Sequence, residues 1–94
     1  MKVHFEASFE KDLRKIKDKN VLSKLKTTIL AIKQAVVLSE LPNLLKLKGY
    51  DTYYRIRVGD YRIGLEVLHQ SDSGNLEIVF VRVLHRKEIY RYFP

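Results

Sequence analysis

YYRIRVGDYRIGL, residues 53–65, decides the fold of this chain. Two runs that alternate between apolar and polar side chains flank Gly59 and Asp60, a dipeptide typical of two-residue β-hairpin turns. The turn predicts the cross-strand pairs Val58–Tyr61, Arg57–Arg62, Ile56–Ile63 and Arg55–Gly64. Successive side chains of a strand point to opposite faces, so one face of the hairpin is apolar. The apolar face carries Tyr54, Ile56, Val58, Tyr61, Ile63 and Leu65, and the other carries Tyr53, Arg55, Arg57 and Arg62.

The pairing of Arg57 with Arg62 points to an anion. Like charges directly opposite each other destabilise a sheet, so a chain that keeps two arginines there needs a compensating partner. Guanidinium groups bind phosphate through paired, planar donors. We therefore expect an anionic group between the arginines of this hairpin.

Composition indicates one basic globular domain, residues 1–94. The 94 residues are 46% apolar and carry a formal net charge of +7. That charge favours an acidic partner, either nucleic acid or an acidic protein. Ten of the eleven lysines lie in residues 1–48, whereas six of the seven arginines lie in residues 49–94. The arginines are therefore concentrated in the predicted strands.

The sequence also favours a cytoplasmic protein. It has no cysteine, which excludes a disulfide framework and a thiolate zinc site. No apolar run approaches the length of about 20 residues that spans a bilayer, so we expect no membrane association. The first six residues, MKVHFE, lack the apolar segment of a secretory signal.

The order of elements predicts an α+β domain with a mostly antiparallel, four-stranded sheet. Ser8 is a candidate N-cap for a first helix, and apolar residues at helical spacing predict a second helix over residues 21–38. Strands are predicted at residues 2–6, 53–58, 61–68 and 76–84, a connection at 39–49, a polar turn at 69–75 and a short helix in the C-terminal tail. The order β-α-α-β-β-β places a helical hairpin on one face of the sheet and leaves the other open.

The open face and the tail combine arginines with tyrosines. This composition suits single-stranded nucleic acid, because arginines hold phosphates and aromatic rings stack on bases. The candidates are Tyr53, Arg55, Arg57, Arg62, Arg82, Arg86 and Tyr90. The alternative interpretation is a solvated basic face whose tyrosines simply favour strands. For the set as a whole we favour nucleic-acid binding, because strand pairing concentrates the charges.

Cleavage of RNA is the reaction that such a surface would support. It needs a base for the 2′-hydroxyl, stabilisation of the phosphorane charge and an acid for the leaving 5′-oxygen. Arginine can stabilise the charge but is a poor base, because it stays protonated. The candidate acids and bases are His85, Tyr90, Lys46, Lys48 and Glu88. A histidine near its reference pKa serves in either role, but His85 can equally be a capping or packing residue.

Motifs of other reaction classes do not occur in the sequence. It contains no P-loop, no glycine-rich dinucleotide loop, no GxSxG and no HExxH. The three histidines are too far apart to form a metal motif by spacing alone. We therefore expect neither a metal nor a cofactor.

Three motifs and the element order resemble the RelE/ParE superfamily of toxins from toxin–antitoxin modules. The motifs are LKGY at residues 47–50, the arginine hairpin at 54–63 and VLHRKEIYR at 83–91. The resemblance covers nearly the whole chain and implies a cognate antitoxin, usually encoded by the adjacent gene. It implies one of two activities. The RelE branch cleaves messenger RNA in the ribosomal A site, without metal, by 2′-hydroxyl attack that leaves a cyclic phosphate, whereas the ParE branch poisons DNA gyrase.

The resemblance also implies roles for individual residues. Arg55 and Arg57 match phosphate-binding positions, and Arg62 and Arg86 match arginines that stabilise the transition state. Tyr90 matches a tyrosine that stacks on or orients the substrate base, and His85 matches a histidine near the C-terminus of several RelE-like nucleases. Lys46, Lys48, Tyr53 and Arg82 complete the predicted RNA-binding surface.

The sequence departs from the family at two of these positions. Arginine stands at Arg55 and Arg57, where a lysine in the family can act as the base, so the identity of the general base stays open. Three functions remain: a ribosome-dependent messenger-RNA endoribonuclease, a gyrase inhibitor, and a decayed toxin that binds only antitoxin or RNA. We favour the endoribonuclease.

Overall fold

The computed structural model describes residues 1–69 and 76–94. Most of the polar turn expected at residues 69–75 lies outside the described residues. The elements are β1 (Lys2–Phe5), α1 (Ala7–Lys15), α2 (Lys19–Gln34), a 3₁₀ turn (Leu38–Glu40), β2 (Leu44–Lys46), β3 (Tyr53–Val58), β4 (Tyr61–His69), β5 (Leu76–His85) and α3 (Ile89–Tyr92). None of the helices in the described part of the chain is long and apolar enough to cross a bilayer.

The sheet has five strands in the order β1-β5-β4-β3-β2. Strand β1 runs parallel to β5, and the other neighbours are antiparallel. The fifth strand is β2, which pairs with residues 54–56 of β3. Strand β2 lies within residues 39–49, which the sequence predicted to be a connection. It is three residues long and lies just after Pro42 and Asn43. Short edge strands of this kind limit edge-to-edge association but leave almost no periodic signal, which explains the missing strand.

The arginine hairpin forms in the predicted register. Val58 pairs with Tyr61, Arg57 with Arg62, Ile56 with Ile63 and Arg55 with Gly64. Gly59 has a φ of 59°, which an L side chain rarely adopts and which a two-residue turn of the primed type requires. The alternation of apolar and basic residues therefore survives in the fold, and it separates a core face from a basic face.

The helices cover the apolar face. Helix α1 packs on β5 and α2 packs on β3. The fully buried side chains between the layers include Phe9, Leu25, Ile32, Ile63, Leu65, Ile78, Phe80 and Val83. Helix α2 begins earlier than predicted, because the Asp18 carboxylate accepts hydrogen bonds from the backbone N–H groups of Asn20 and Val21 and so caps its first turn. Ring contacts of Phe5, Phe9 and Phe80 join β1, α1 and β5.

Helix α1 also completes the edge of β5 beyond the end of β1. Strand β1 pairs only as far as Phe80, which leaves later backbone groups of β5 without a neighbouring strand. The Ser8 hydroxyl donates to the carbonyl of Val81 at 2.6 Å, and the Asp12 carboxylate accepts from the N–H of Val83 at 3.1 Å. Ser8 is therefore not the predicted N-cap, because it lies inside α1 and its hydroxyl bonds to the sheet. Side chains of α1 here replace a strand.

Half of the face opposite the two helices is also covered. A second apolar cluster forms there from Leu47, Ile89 and Phe93, with Tyr53, Val81 and Leu84 packed against it. Short α3 delivers Ile89 and Phe93 to this cluster. The prediction that the whole face stays open is therefore wrong, and the arginines occupy the half that α3 leaves uncovered.

Candidate functional site

The uncovered half of the basic face carries three arginines from adjacent strands. Arg57 and Arg62 are directly opposite each other, and Arg55 lies two residues before Arg57 on the same side of β3. Arg57 is exposed, whereas Arg55 and Arg62 are half-buried. The predicted projection of the three guanidinium groups from one face is confirmed by this register.

Arg55 is held by two oxygen atoms from different parts of the chain. Its Nε donates to the hydroxyl of Tyr90 at 3.1 Å, and its Nη1 donates to the carbonyl of Asn43 at 3.3 Å. The Asn43 carbonyl also accepts from the N–H of Arg57 at 3.4 Å, and Asn43 has a φ of 62°, a conformation that asparagine tolerates better than most residues. The turn before β2 and the C-terminal helix therefore meet at Arg55.

Arg62 bends back over the hairpin turn. Its Nη1 donates to the carbonyls of Gly59 and Tyr61 at 2.8 and 3.0 Å. Burial lowers the pKa of the Arg62 guanidinium, and the positive charge of Arg55 lowers it further. Arg57 and Arg86 also lower this pKa, while Tyr90 raises it. The group still stays charged at neutral pH because its reference pKa is so high, so the site is a concentration of positive charge.

Arg86, directly after the end of β5, adds a fourth arginine to these three. Its backbone N–H donates to the carbonyl of Asp60 at 2.7 Å, which fixes the chain beside the hairpin turn. Its Nε lies 3.7 Å from a carboxylate oxygen of Asp60, with both side chains more than half exposed. An ion pair this exposed is worth little, so the guanidinium remains available to another anion.

We refer to Arg55, Arg57, Arg62 and Arg86 together as the arginine cluster. Within residues 1–69 and 76–94, Arg55, Arg57 and Arg62 form no salt bridge. Carbonyl and hydroxyl oxygens satisfy some of their donors but cancel none of their charge. An anion with several oxygens, such as phosphate, would supply the missing charge and accept the remaining donors.

Tyr90 lies beside the arginine cluster and is 59% exposed. Its neighbours Ile89 and Phe93 are buried in the second apolar cluster, so α3 is anchored while the Tyr90 ring remains open to solvent. An exposed ring next to several cations is an arrangement that suits stacking on a nucleic-acid base. The predicted proximity of Tyr90 to the arginines is confirmed by its bond to Arg55.

Arg82 does not join the arginine cluster, contrary to the prediction. Its Nε and Nη2 donate to both carboxylate oxygens of Asp12 at 2.7 and 3.0 Å, and this hydrogen bonding raises the pKa of the Arg82 guanidinium. A register shift between β4 and β5 occurs at Gly64 and Leu65, whose partners are Arg82 and Phe80. Such a bulge redirects side chains, and Arg82 accordingly serves to fasten α1 to the sheet.

Tyr53 is also used internally. Its ring makes edge-to-face contacts with Tyr50 and Phe93, at centroid distances of 5.6 and 5.5 Å. It lies on the arginine face of β3 but under the C-terminal helix, at the border of the second apolar cluster. Tyr50 and Phe93 therefore already contact the ring that was expected to bind RNA, and the RNA-binding role of Tyr53 stays a prediction.

His85 lies on the helix side of the sheet, away from the arginine cluster. It pairs with Tyr61, an apolar-face residue, and the two rings meet edge to face at 5.6 Å. Its Nδ1 accepts from the N–H of Lys87 at 3.2 Å, so it caps the turn after β5. The register therefore does not bring His85 together with Arg55, Arg57 and Arg62, and its catalytic role stays a prediction.

The two predicted RNA-binding lysines differ in position. Lys46 pairs with Tyr54 on the edge strand β2, so its register places it on the helix side rather than with the arginines. Lys48 is exposed in the turn that follows β2, next to the second apolar cluster. Of the four residues predicted to extend the RNA surface, Lys48 is the one whose position in the described structure agrees best with that prediction.

Three residues at the site were not predicted from the sequence: Asn43, Gly64 and Phe93. Asn43 follows Pro42, and such a dipeptide signals a turn, but it does not indicate that the Asn43 carbonyl accepts a hydrogen bond from Arg55. Gly64 interrupts an apolar strand, which indicates a close approach of other atoms. No metal-binding group of three or more His, Cys, Asp or Glu side chains occurs in the described parts of the chain.

Comparisons with known proteins agree with this architecture. Residues 3–90 match the family model of the ParE toxin of type II toxin–antitoxin systems. Toxin RelE3 of Methanocaldococcus jannaschii is 45% identical over 95 residues, which cover all of both chains. A chain of the RelB–RelE antitoxin–toxin complex from Methanococcus jannaschii superposes with a TM-score of 0.72 at 42% identity, covering 97% of this chain and 99% of that one.

More distant structures share the fold alone. A chain of the toxin–antitoxin complex RelBE2 from Mycobacterium tuberculosis has a TM-score of 0.66 at 21% identity, covering 90% of this chain and 96% of that one. The YoeB/ParE toxin from Agrobacterium tumefaciens has a TM-score of 0.64 at 18% identity, covering 90% and 98%. With the fold, the family match and a full-length relative in agreement, the chain belongs to the RelE/ParE superfamily of toxins from type II toxin–antitoxin systems.

Proposed function

We propose that this toxin is an endoribonuclease that cleaves messenger RNA on the ribosome. The observation that carries the proposal is the arginine cluster, whose charges converge on the uncovered half of one sheet face beside the exposed ring of Tyr90. A phosphodiester supplies the anion that the cluster lacks, and the adjoining base supplies a surface for the ring. The similarity to proteins named RelE supports the same branch.

The proposed reaction needs no metal. The 2′-oxygen of a nucleotide attacks the adjacent phosphorus, the bond from phosphorus to the 5′-oxygen breaks, and the products are a 2′,3′-cyclic phosphate and a 5′-hydroxyl. One proton leaves the 2′-hydroxyl and one is gained by the 5′-oxygen. Arg62 and Arg86 would stabilise the charge that builds on the phosphorane oxygens, and Arg57 would hold the neighbouring backbone phosphate.

Tyr90 is the best placed of the groups considered for proton transfer. Of the five candidates, it is the one with a described contact to the arginine cluster, and a phenol can both donate and accept a hydrogen bond. His85 and Lys46 lie on the helix side by register. Glu88 lines a groove with Asp12 and Tyr92. We therefore propose that Tyr90 orients the base and takes part in moving the proton.

An antitoxin is the proposed protein partner. The chemistry of the surface alone favours a partner with acidic segments for the arginine cluster and apolar segments for the helices. A groove between α1 and α2 is lined by apolar side chains of Leu13, Leu22, Leu25, Ile29 and Leu30. Two of the similar solved chains come from antitoxin–toxin complexes. We propose that the partner is encoded by the adjacent gene and silences the toxin by covering the cluster.

Induced expression with translation and DNA integrity followed in parallel tests the proposed function. We expect protein synthesis to stop within minutes while DNA remains intact, because messenger RNA is the substrate. The second candidate function is inhibition of DNA gyrase, which the match to the ParE family model favours. DNA breaks with continuing protein synthesis would contradict the nuclease and support that alternative. Normal growth with a folded protein present would indicate a toxin that only binds.

Arg57→Ala tests phosphate contact separately from catalysis. Arg57 is exposed, so its loss should spare the fold while removing one phosphate contact from single-stranded RNA. We expect the slope of log affinity against log salt concentration to become shallower by about 0.7, the value for one contact with a single strand. Titration of a 2′-O-methyl RNA oligonucleotide at several salt concentrations measures it.

Arg14→Ala is the matched control, because Arg14 is an exposed arginine on α1. The substitution removes the same charge from a helix and leaves the arginine cluster intact. Its slope should equal that of the wild-type protein. Equal slopes for Arg57→Ala and wild type would show that Arg57 makes no phosphate contact.

A further inference from the structure

The C-terminal helix is too short to hold its own position. Helix α3 has four residues, Ile89–Tyr92, and isolated helices of this length are not stable in water. Two side chains fix it to the sheet: Ile89, which is fully buried, and Phe93, which is 3% exposed. The position of Tyr90 therefore depends on how these two anchors are seated.

The ring of Phe93 packs directly against Gly64. A Cβ atom built on Gly64 would lie 2.7 to 2.8 Å from three ring carbons of Phe93, which is closer than real Cβ contacts. The φ of Gly64 is not in the left-handed region, so the strand conformation does not require glycine there. The close approach of the ring is the physical reason for a glycine in the interior of β4.

Gly64 lies next to the arginine cluster. Gly64 is the cross-strand partner of Arg55, and Arg55 donates to the hydroxyl of Tyr90. The ring of Phe93 thus rests on the strand position next to the residue that Tyr90 contacts. The tail is thus fixed at Phe93 by packing on Gly64 and at Tyr90 by the hydrogen bond from Arg55.

We infer that Gly64 and Phe93 are positioning residues that place Tyr90 against Arg55. They touch no reacting atom and act through the backbone of α3. This inference rests on the proposed function for its consequence in catalysis, since Tyr90 is the group proposed to meet the substrate base. The arrangement of the tail itself is a property of the free toxin and is measurable without substrate.

A double-mutant cycle with Tyr90→Ala separates positioning from a purely structural role. In single-turnover cleavage of ribosome-bound messenger RNA, we expect Gly64→Ala and Phe93→Ala each to lower the rate about 10- to 100-fold, the scale of a misplacement of about 1 Å. Once Tyr90 is alanine, nothing remains to be positioned, so adding Gly64→Ala should change the rate less than about twofold, which is the signature of coupled sites. A full additional loss in the Tyr90→Ala background would overturn the inference.

Tyr92→Ala is the matched control, because Tyr92 is a half-exposed aromatic residue on the same helix, and its variant should retain wild-type activity. Amide hydrogen exchange of the purified toxin provides the second readout. The N–H of Phe93 bonds to the carbonyl of Ile89 at 2.9 Å, so its exchange should accelerate in Gly64→Ala while β3 and β4 stay protected. Unchanged protection of the tail would contradict the claim that the packing of Phe93 on Gly64 holds the tail in place. Phe93→Ala leaves the strand untouched and replaces Gly64→Ala if that variant does not fold.

The two proposals fail in different ways. If the wild-type toxin cleaves no RNA, the proposed function is wrong, while hydrogen exchange still decides whether Gly64 positions the C-terminal tail. If the wild type cleaves RNA and the tail of Gly64→Ala keeps its protection, the positioning role of Gly64 is wrong and the proposed endoribonuclease activity is retained.

Discussion

Arg62→Ala is expected to slow cleavage of messenger RNA by about 10²- to 10³-fold, the cost of removing one preorganised donor to a developing oxyanion. Arg62 is half-buried, and its orientation is fixed by the carbonyls of Gly59 and Tyr61. Its charge is therefore in place before the phosphorane forms, without reorganisation at the moment of reaction. The same change should relieve growth inhibition. Single-turnover cleavage on programmed ribosomes measures the rate.

Two further variants make this result specific. Arg62→Lys keeps the charge but loses the planar, paired donors, so its rate should lie between those of Arg62→Ala and the wild type. Arg14→Ala removes an exposed arginine from α1 and should leave the rate unchanged. Wild-type cleavage by Arg62→Ala would rule out a role for Arg62 in stabilising the transition state.

Asp12→Ala is expected to destabilise the fold by about 3 kcal/mol, the lower end for removing one member of a buried ion pair. Asp12 is 5% exposed and accepts from the guanidinium of Arg82 and from the N–H of Val83. Its loss leaves both donors without their acceptor at the edge of β5. Urea unfolding followed by circular dichroism gives the free energy of unfolding.

Asp60→Ala is the control for this measurement, because it removes a carboxylate from an exposed ion pair with Arg86. That change should cost less than about 1 kcal/mol. If the two aspartate variants lose equal stability, Asp12 does not fasten α1 to the sheet in the way described.

The arginine hairpin could be predicted from sequence because its determinants are local. A glycine turn and strict alternation fix the register of β3 and β4, and alternation alone then assigns Arg55, Arg57 and Arg62 to one face. The similarity of the C-terminal motif to the family placed Tyr90 and Arg86 near them. The alternation depends only on neighbours within a few residues, and the structure confirms the shared face of the three arginines and the contact of Tyr90 with Arg55.

The remaining errors concern contacts between distant parts of the chain. The role of Arg82 depends on Asp12, 70 residues away, and on an irregularity in the pairing of β4 with β5 that sequence alternation does not reveal. Tyr53 was counted as an open residue because nothing in its own strand indicates that Phe93 covers it. His85 is the last residue of β5, where a shift of one residue changes its face.

The central claim is that the guanidinium groups of Arg55, Arg57 and Arg62 hold one polyanionic guest together. The most direct test is an NMR titration that follows the Nε–H resonances of the arginine side chains as a 2′-O-methyl RNA trinucleotide, which has two phosphodiester groups, is added. We expect the resonances of Arg55, Arg57 and Arg62 to shift with a common dissociation constant while that of Arg14 does not move. Shifts spread equally over all the arginines, or confined to residues outside the cluster, would contradict it.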